Sequence, residues 1–195
     1  MVGVDSSESM IERALDEPTP PGLRFVHGSI TDLGSAGVSE FGGAICLGNT
    51  LPHLLGDDEL AAFCDGLYAA FLPGASLLLQ IVNYEKIVGT GQRFLPLNFR
   101  PTDGEETVFL RLMTPQEDGR ILFYPTSLRL RPGHDPPVEI VGSKEVELRA
   151  WTRPQLEAAF RRSGFDRITA LGAFDERPYA ALESSDLILV VGRDG

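Results

Sequence analysis

The sequence predicts an α/β fold: a largely parallel sheet that ends in an antiparallel strand pair and carries an inserted antiparallel meander. Three observations support this. Strand-like and helix-like patterns alternate over the first 82 residues, which implies a parallel sheet with right-handed crossovers. Long strand-like runs joined by polar turns fill the middle of the chain. The last two strand-like runs are joined by 172–185, too short and irregular for a crossover helix, so they are expected to be antiparallel neighbours. At 195 residues and 43% hydrophobic, the chain suffices for one buried domain (1–195) with an insertion at 84–150.

Met1 to Val4 reads as a strand and Ser7 to Leu15 as a helix, with Met10, Ile11, Ala14 and Leu15 on one face. Ser6 or Ser7 can cap that helix, and Pro18, Pro20 and Pro21 end it. Leu23 to His27 is a second strand. Gly42 to Leu47 is a third, continuously apolar and suited to burial on both faces. From Asp57, a helical spacing of Leu60, Phe63, Cys64, Leu67 and Phe71 runs up to Pro73 and Gly74, and Leu77 to Val82 follows as a buried strand. The meander is read as Thr107–Met113, Ile121–Leu130 and Val138–Arg149. Thr152 and Gln155 form a capping box for a helix closed by Gly164. Asp166 to Leu171 and Asp186 to Gly192 are the final pair.

The formal net charge of −11 leaves no basic stripe for a phosphate backbone, so nucleic acid is not an expected partner. Lysine is nearly absent, with only Lys86 and Lys144. Cys46 and Cys64 have no disulfide or metal spacing, and His27, His53 and His134 have no ligand spacing. Asp5, Glu8 and Glu12 exclude a secretory apolar segment at the start, and no apolar run reaches membrane-spanning length. A cytoplasmic protein acting on a small molecule is expected, without a metal or a membrane partner and with oligomerisation left open.

Asp5, at the tip of the first strand, has two readings. A carboxylate there matches the vicinal hydroxyls of a ribose at the ligand-binding edge of a parallel sheet. It also serves as an acidic cap for the helix that follows.

VGVDSSESMIERA, VHGSITDL, GGAICLGNTLPHLL and SLLLQIVNYEKI follow one another in order. Together they resemble the class I S-adenosylmethionine-dependent methyltransferases, whose sheet is Rossmann-like. CLGNTLPHL followed by NYEKI is most similar to the small-molecule glycine/sarcosine N-methyltransferases. The resemblance implies S-adenosylmethionine as cofactor and methyl transfer to a small acceptor, an amine or amino acid. It places Asp5, with Ser6 beside it, on the ribose hydroxyls and Met10 near the adenine. Ser29, where the family more often has an acid, and Ile30 fall on the adenine edge, and Leu47, Gly48 and Asn49 on the methionine moiety. It also implies that 84–150 is a lid and that Asn83 and Tyr84 bind the acceptor. The family's carboxylate-clamping arginine aligns with Leu148, one residue from Arg149, with Arg111 and Arg129 as alternatives. His53 reads as a packed, hydrogen-bonded residue or as a base.

The family's first strand and Gly-rich turn are absent; Gly89-Thr90-Gly91 follows NYEKI and is not that turn. The missing βα unit, about 30 residues, belongs between the strands ending at Asp5 and Leu47, so the chain is expected to be truncated and to bind cofactor weakly or not at all. The other readings are that these two strands pair directly, or that another chain fills the gap. The alternative functions are a non-catalytic binding or scaffold domain and, less favoured, a nicotinamide-dinucleotide Rossmann enzyme.

Overall fold

The computed structural model describes residues 1–102 and 105–194. Its elements are β1 (Val2–Asp5), α1 (Glu8–Asp16), β2 (Arg24–His27), β3 (Phe41–Cys46), a 3-10 turn (Leu51–His53), α2 (Asp57–Ala70), β4 (Phe71–Val82), α3 (Tyr84–Thr90), β5 (Asn98–Thr102), β6 (Glu105–Pro115), β7 (Arg120–Leu130), β8 (Val138–Ser143), β9 (Val146–Arg149), α4 (Arg153–Arg162), β10 (Arg167–Leu171) and β11 (Asp186–Gly192).

The body is a four-stranded sheet in the order β10-β11-β4-β3 and a separate parallel pair, β1-β2. β3 runs parallel to β4, and β11 is antiparallel to both β4 and β10, as the short 172–185 connection implies. β4 alternates along its length: Phe71, Ala75, Leu77, Leu79 and Ile81 are buried on one face. That face meets α2, which buries Leu60, Phe63, Cys64 and Leu67, and α4, which buries Leu156, Ala159 and Phe160. Phe63, Tyr68, Phe71, Phe160 and Phe165 pack edge to face there, with centroids 5.2–6.3 Å apart.

The opposite face is open. The register aligns Ile45, Leu78 and Val190 across three strands, yet Ile45 is 73% exposed. β1 and β3 do not pair directly. Their free edges line an apolar cleft of about 700 Å³ between the two sheets, walled by Val2, Val4, Phe25, Ala44, Ile45 and Leu77. The edge amides therefore face open space, not a sealed interior.

Four elements differ from expectation. α2 ends at Ala70, and Pro73 and Gly74 lie inside β4, where Phe41 pairs with Phe71 but Gly43 pairs with Ser76. The proline sits in this irregularity, where a missing N–H costs no ladder bond, and Gly74 takes φ +82. Val138–Arg149 is two strands, both on β7. The break falls opposite Pro125, which has no N–H to continue the ladder and only accepts from Lys144 N–H at 3.4 Å. α3 and β5 are additional. Asn83 caps α3 by accepting from Lys86 N–H at 3.2 Å, and Gly91 closes it in the left-handed conformation. The insertion is thus a five-stranded sheet preceded by one short helix.

Its base enters the main core. Met113, Ile121 and Leu148 are buried in the same cluster as Leu79 and Trp151. Trp151 Nε1–H donates to Leu54 C=O at 2.9 Å and so ties β9 to the 3-10 turn.

Candidate functional site

The ends of β1, β2 and β3 converge on a cavity of about 440 Å³. Asp5 and Ser6 enter from β1, Ser29 and Ile30 from the loop after β2, and Gly48 and Asn49 from the loop after β3. His53 and Glu59 close the far side. Parallel pairing of β1 with β2 and of β3 with β4 places all these loops at carboxyl ends, where ligands of open α/β sheets bind.

The capping reading of Asp5 is seen directly. Its Oδ1 accepts from Ser7 N–H at 2.8 Å, and Ser7, the N-cap of α1, makes no side-chain cap bond itself. The other carboxylate oxygen has no partner among the described residues. Ser29 closes its own turn, accepting from Thr31 N–H at 3.1 Å and contacting the Thr31 hydroxyl at 2.7 Å. Ile30 lines the cavity, and its N–H makes no hydrogen bond among the described residues. Gly48 and Asn49 take φ +77 and +67 in succession, a conformation glycine adopts freely and asparagine tolerates. A Cβ on Gly48 would meet nothing within 4 Å, so this stretch of backbone faces open space.

The Gly48–Asn49 turn is locked from behind. Gly48 N–H donates to Gln80 Oε1 at 2.9 Å, and Gln80 Nε2 donates to Asp186 at 2.7 Å. Asn49 Oδ1 accepts from Val82 N–H at 3.0 Å, and its Nδ2 donates to the Tyr84 hydroxyl at 2.8 Å. Glu59 Oε2 accepts from Leu55 and Gly56 N–H at 2.8 and 3.0 Å, fixing the start of α2. Two carboxylates, Asp5 and Glu59, on one cavity suit a cationic ligand. Partial burial, and then the Lys144 charge, hold the His53 imidazole below its ordinary pKa, which favours the neutral ring. Burial pushes Cys46 to about 11 and Cys64 to about 12, so neither is a thiolate near neutrality.

Other anticipated residues lie apart from the cavity. Met10 and Leu47 are exposed, and neither lines it. Asn83 is 1% exposed and fully engaged. Its Nδ2 donates to Ala181 and Ser184 C=O, both at 2.9 Å, and its Oδ1 accepts from Lys86 N–H and the Tyr179 hydroxyl. It anchors the loop before β11 and has no hydrogen-bonding capacity left for an acceptor. Tyr84 is buried, its hydroxyl pushed up to about 12 by burial, and it reaches the cavity only through Asn49. Arg149 Nη1 donates to Asp118 C=O at 2.8 Å, and its guanidinium lies over the Trp151 ring, 5.4 Å from the centroid. It is held at the β6–β7 turn. Arg129 pairs with Glu105 and Glu139. Arg111 lines a separate cavity, on the inserted sheet.

No protein-family model and no curated protein sequence matches the chain. Among solved structures it is similar to an S-adenosylmethionine-dependent methyltransferase from Clostridium acetobutylicum, with TM-score 0.75 and 16% identity over 100% of this chain and 75% of that one. It is similar to an amino pentose methyltransferase from Micromonospora echinaspora with S-adenosylmethionine bound, with TM-score 0.71 and 20% identity over 98% of this chain and 73% of that one. A sugar N-methyltransferase from Streptoalloteichus gives TM-score 0.71 and 17% identity over 100% of this chain and 71% of that one. At such identities the likeness is one of fold: the chain has the Rossmann-like α/β fold of the S-adenosylmethionine-dependent methyltransferases, with an inserted antiparallel sheet.

Proposed function

We propose that the chain binds S-adenosylmethionine and serves methyl transfer to a small-molecule amine. The observation that carries this reading is the meeting of Asp5, Ile30 and the left-handed Gly48–Asn49 backbone in one cavity at the carboxyl ends of three strands. The residues fit the cofactor. The free Asp5 oxygen suits a ribose hydroxyl, the Ile30 N–H an adenine acceptor, and the acidic cavity a ligand with ammonium and sulfonium charges. When bound, the cofactor supplies an electrophilic methyl group.

The chain's own residues then have three tasks. Asp5, Ile30 and Asn49 orient, and the sheet over the 3-10 turn excludes water. His53, kept neutral by burial and Lys144, takes the proton that the amine must shed. Calorimetric titration with S-adenosylhomocysteine tests the reading: micromolar binding supports it, and a folded chain with no heat of binding refutes it for this chain.

A non-catalytic methyltransferase-like binding domain is the second reading. The open, largely apolar cleft between β1 and β3 favours it, as a surface on which a partner can pack.

A further inference from the structure

A second cavity, of about 550 Å³, lies on the inserted sheet. The register sets Asn98 beside Phe109, Phe109 beside Ser127 and Ser127 beside Gly142, so four strands contribute to one face. Farther along, the same face carries Met113, Ile121 and Leu148 into the main core. The cavity is therefore on the side turned toward the α/β body.

Its charge is unlike that of the chain. The protein has 28 acidic and 17 basic residues, yet Arg100, Arg111 and Lys144 line this cavity and, among the described residues, no acid does. Neighbouring cations on the same sheet are neutralised: Arg120 by Asp118 and Glu147, Arg129 and Arg131 by Glu105 and Glu139. The three lining cations have no ion pair among the described residues. Arg100 instead lies over the Phe109 ring, 5.1 Å from its centroid. Arg111 Nη2 donates to Pro96 C=O at 2.7 Å, while its Nε is buried without a partner. The Ser127 hydroxyl, in register with Phe109, stands beside them on the same face. Three uncompensated cations crowded together repel one another, and such an arrangement is stabilised when an anion enters.

β9 links this cavity to the first site: it begins two residues after Lys144, which lines the one, and packs against the 3-10 turn that carries His53, which lines the other. We propose that it binds the anionic end of the methyl acceptor, and that this end is a phosphate or diphosphate ester. A single carboxylate is matched by one bidentate guanidinium. Three cations with one flanking hydroxyl match the charge and the several acceptor oxygens of a phosphoryl group. The inference that this anion belongs to an acceptor rests on the methyl-transfer reading; anion binding itself does not.

The test is calorimetric titration of the full chain with inorganic pyrophosphate, at low ionic strength because surface charge is screened by salt. Saturable binding of one equivalent is expected. Arg100→Ala and Lys144→Ala, both at solvent-exposed positions, are each expected to weaken it about tenfold, the scale of one lost charge-assisted bond. Arg177→Ala, on the distant 172–185 loop, is expected to leave it unchanged. Absence of binding, equal weakening by Arg177→Ala, or tighter binding of glycine than of pyrophosphate overturns the proposal. A parallel titration with S-adenosylhomocysteine separates the two claims. Pyrophosphate binding without it leaves the anion site standing and removes the methyl-transfer reading; the reverse result removes only the anion site.

Discussion

Asn49→Ala probes how the Gly48–Asn49 turn is held. The substitution deletes the bonds to Val82 N–H (3.0 Å) and to the Tyr84 hydroxyl (2.8 Å). Tyr84 is 2% exposed, so its hydroxyl is left without a partner away from water. Two lost bonds at about 1 kcal/mol each, plus about 1 kcal/mol for alanine at φ > 0, give a destabilisation of about 2–4 kcal/mol. In a domain of this size, each kcal/mol lowers Tm by about 2–4 °C, so a fall of about 5–15 °C is expected by calorimetry or circular dichroism. Asn49→Gly removes the same bonds but not the backbone freedom, and should be milder by about 1 kcal/mol. If Asn49→Ala melts with the parent, or if the glycine variant is the less stable of the two, the reasoning is refuted.

Two further expectations concern single side chains. NMR titration of His53 should give a pKa below the ordinary 6.5, because burial and Lys144 disfavour the imidazolium, and Lys144→Ala should raise it. The unfolded chain then binds the proton more readily, so the stability His53 contributes is present above about 6.5 and lost as pH falls through the lower folded-state value. Trp151, the only tryptophan, is 1% exposed. Trp151→Phe orphans the Leu54 carbonyl and should cost about 1–3 kcal/mol in urea unfolding.

Much of the body was legible because its signals are local. The helical spacing from Leu60 to Leu67, the Thr152–Gln155 box and the apolar run of β11 each name one element, and the short 172–185 segment settles the final antiparallel pair. The Asp5, Ser29–Ile30 and Gly48–Asn49 positions could be read as strand ends, and the fold gathers them. β5 escaped because Pro101 argues against a strand and Phe99 is its one large apolar residue; Asn98 to Thr102 is a strand because it finds an edge on β6. The family resemblance assigns Asn83 to the acceptor, but its hydrogen bonds go to carbonyls about a hundred residues away in the chain. The resemblance and strand phase bear on Arg149 only by its position, whereas Asp118 and Trp151 fix where its guanidinium rests. The cluster of Arg100, Arg111 and Lys144 comes from separate strands, so no linear pattern marks it. The scarcity of lysine at Lys144 was the one available hint.

The most direct test of the central claim is amide NMR mapping with S-adenosylhomocysteine, which detects weak as well as tight binding. Perturbations confined to residues near Asp5, Ile30 and Asn49, and abolished in Asp5→Ala, are the expected result. Perturbations centred elsewhere, or unchanged when the carboxylate is removed, contradict the account.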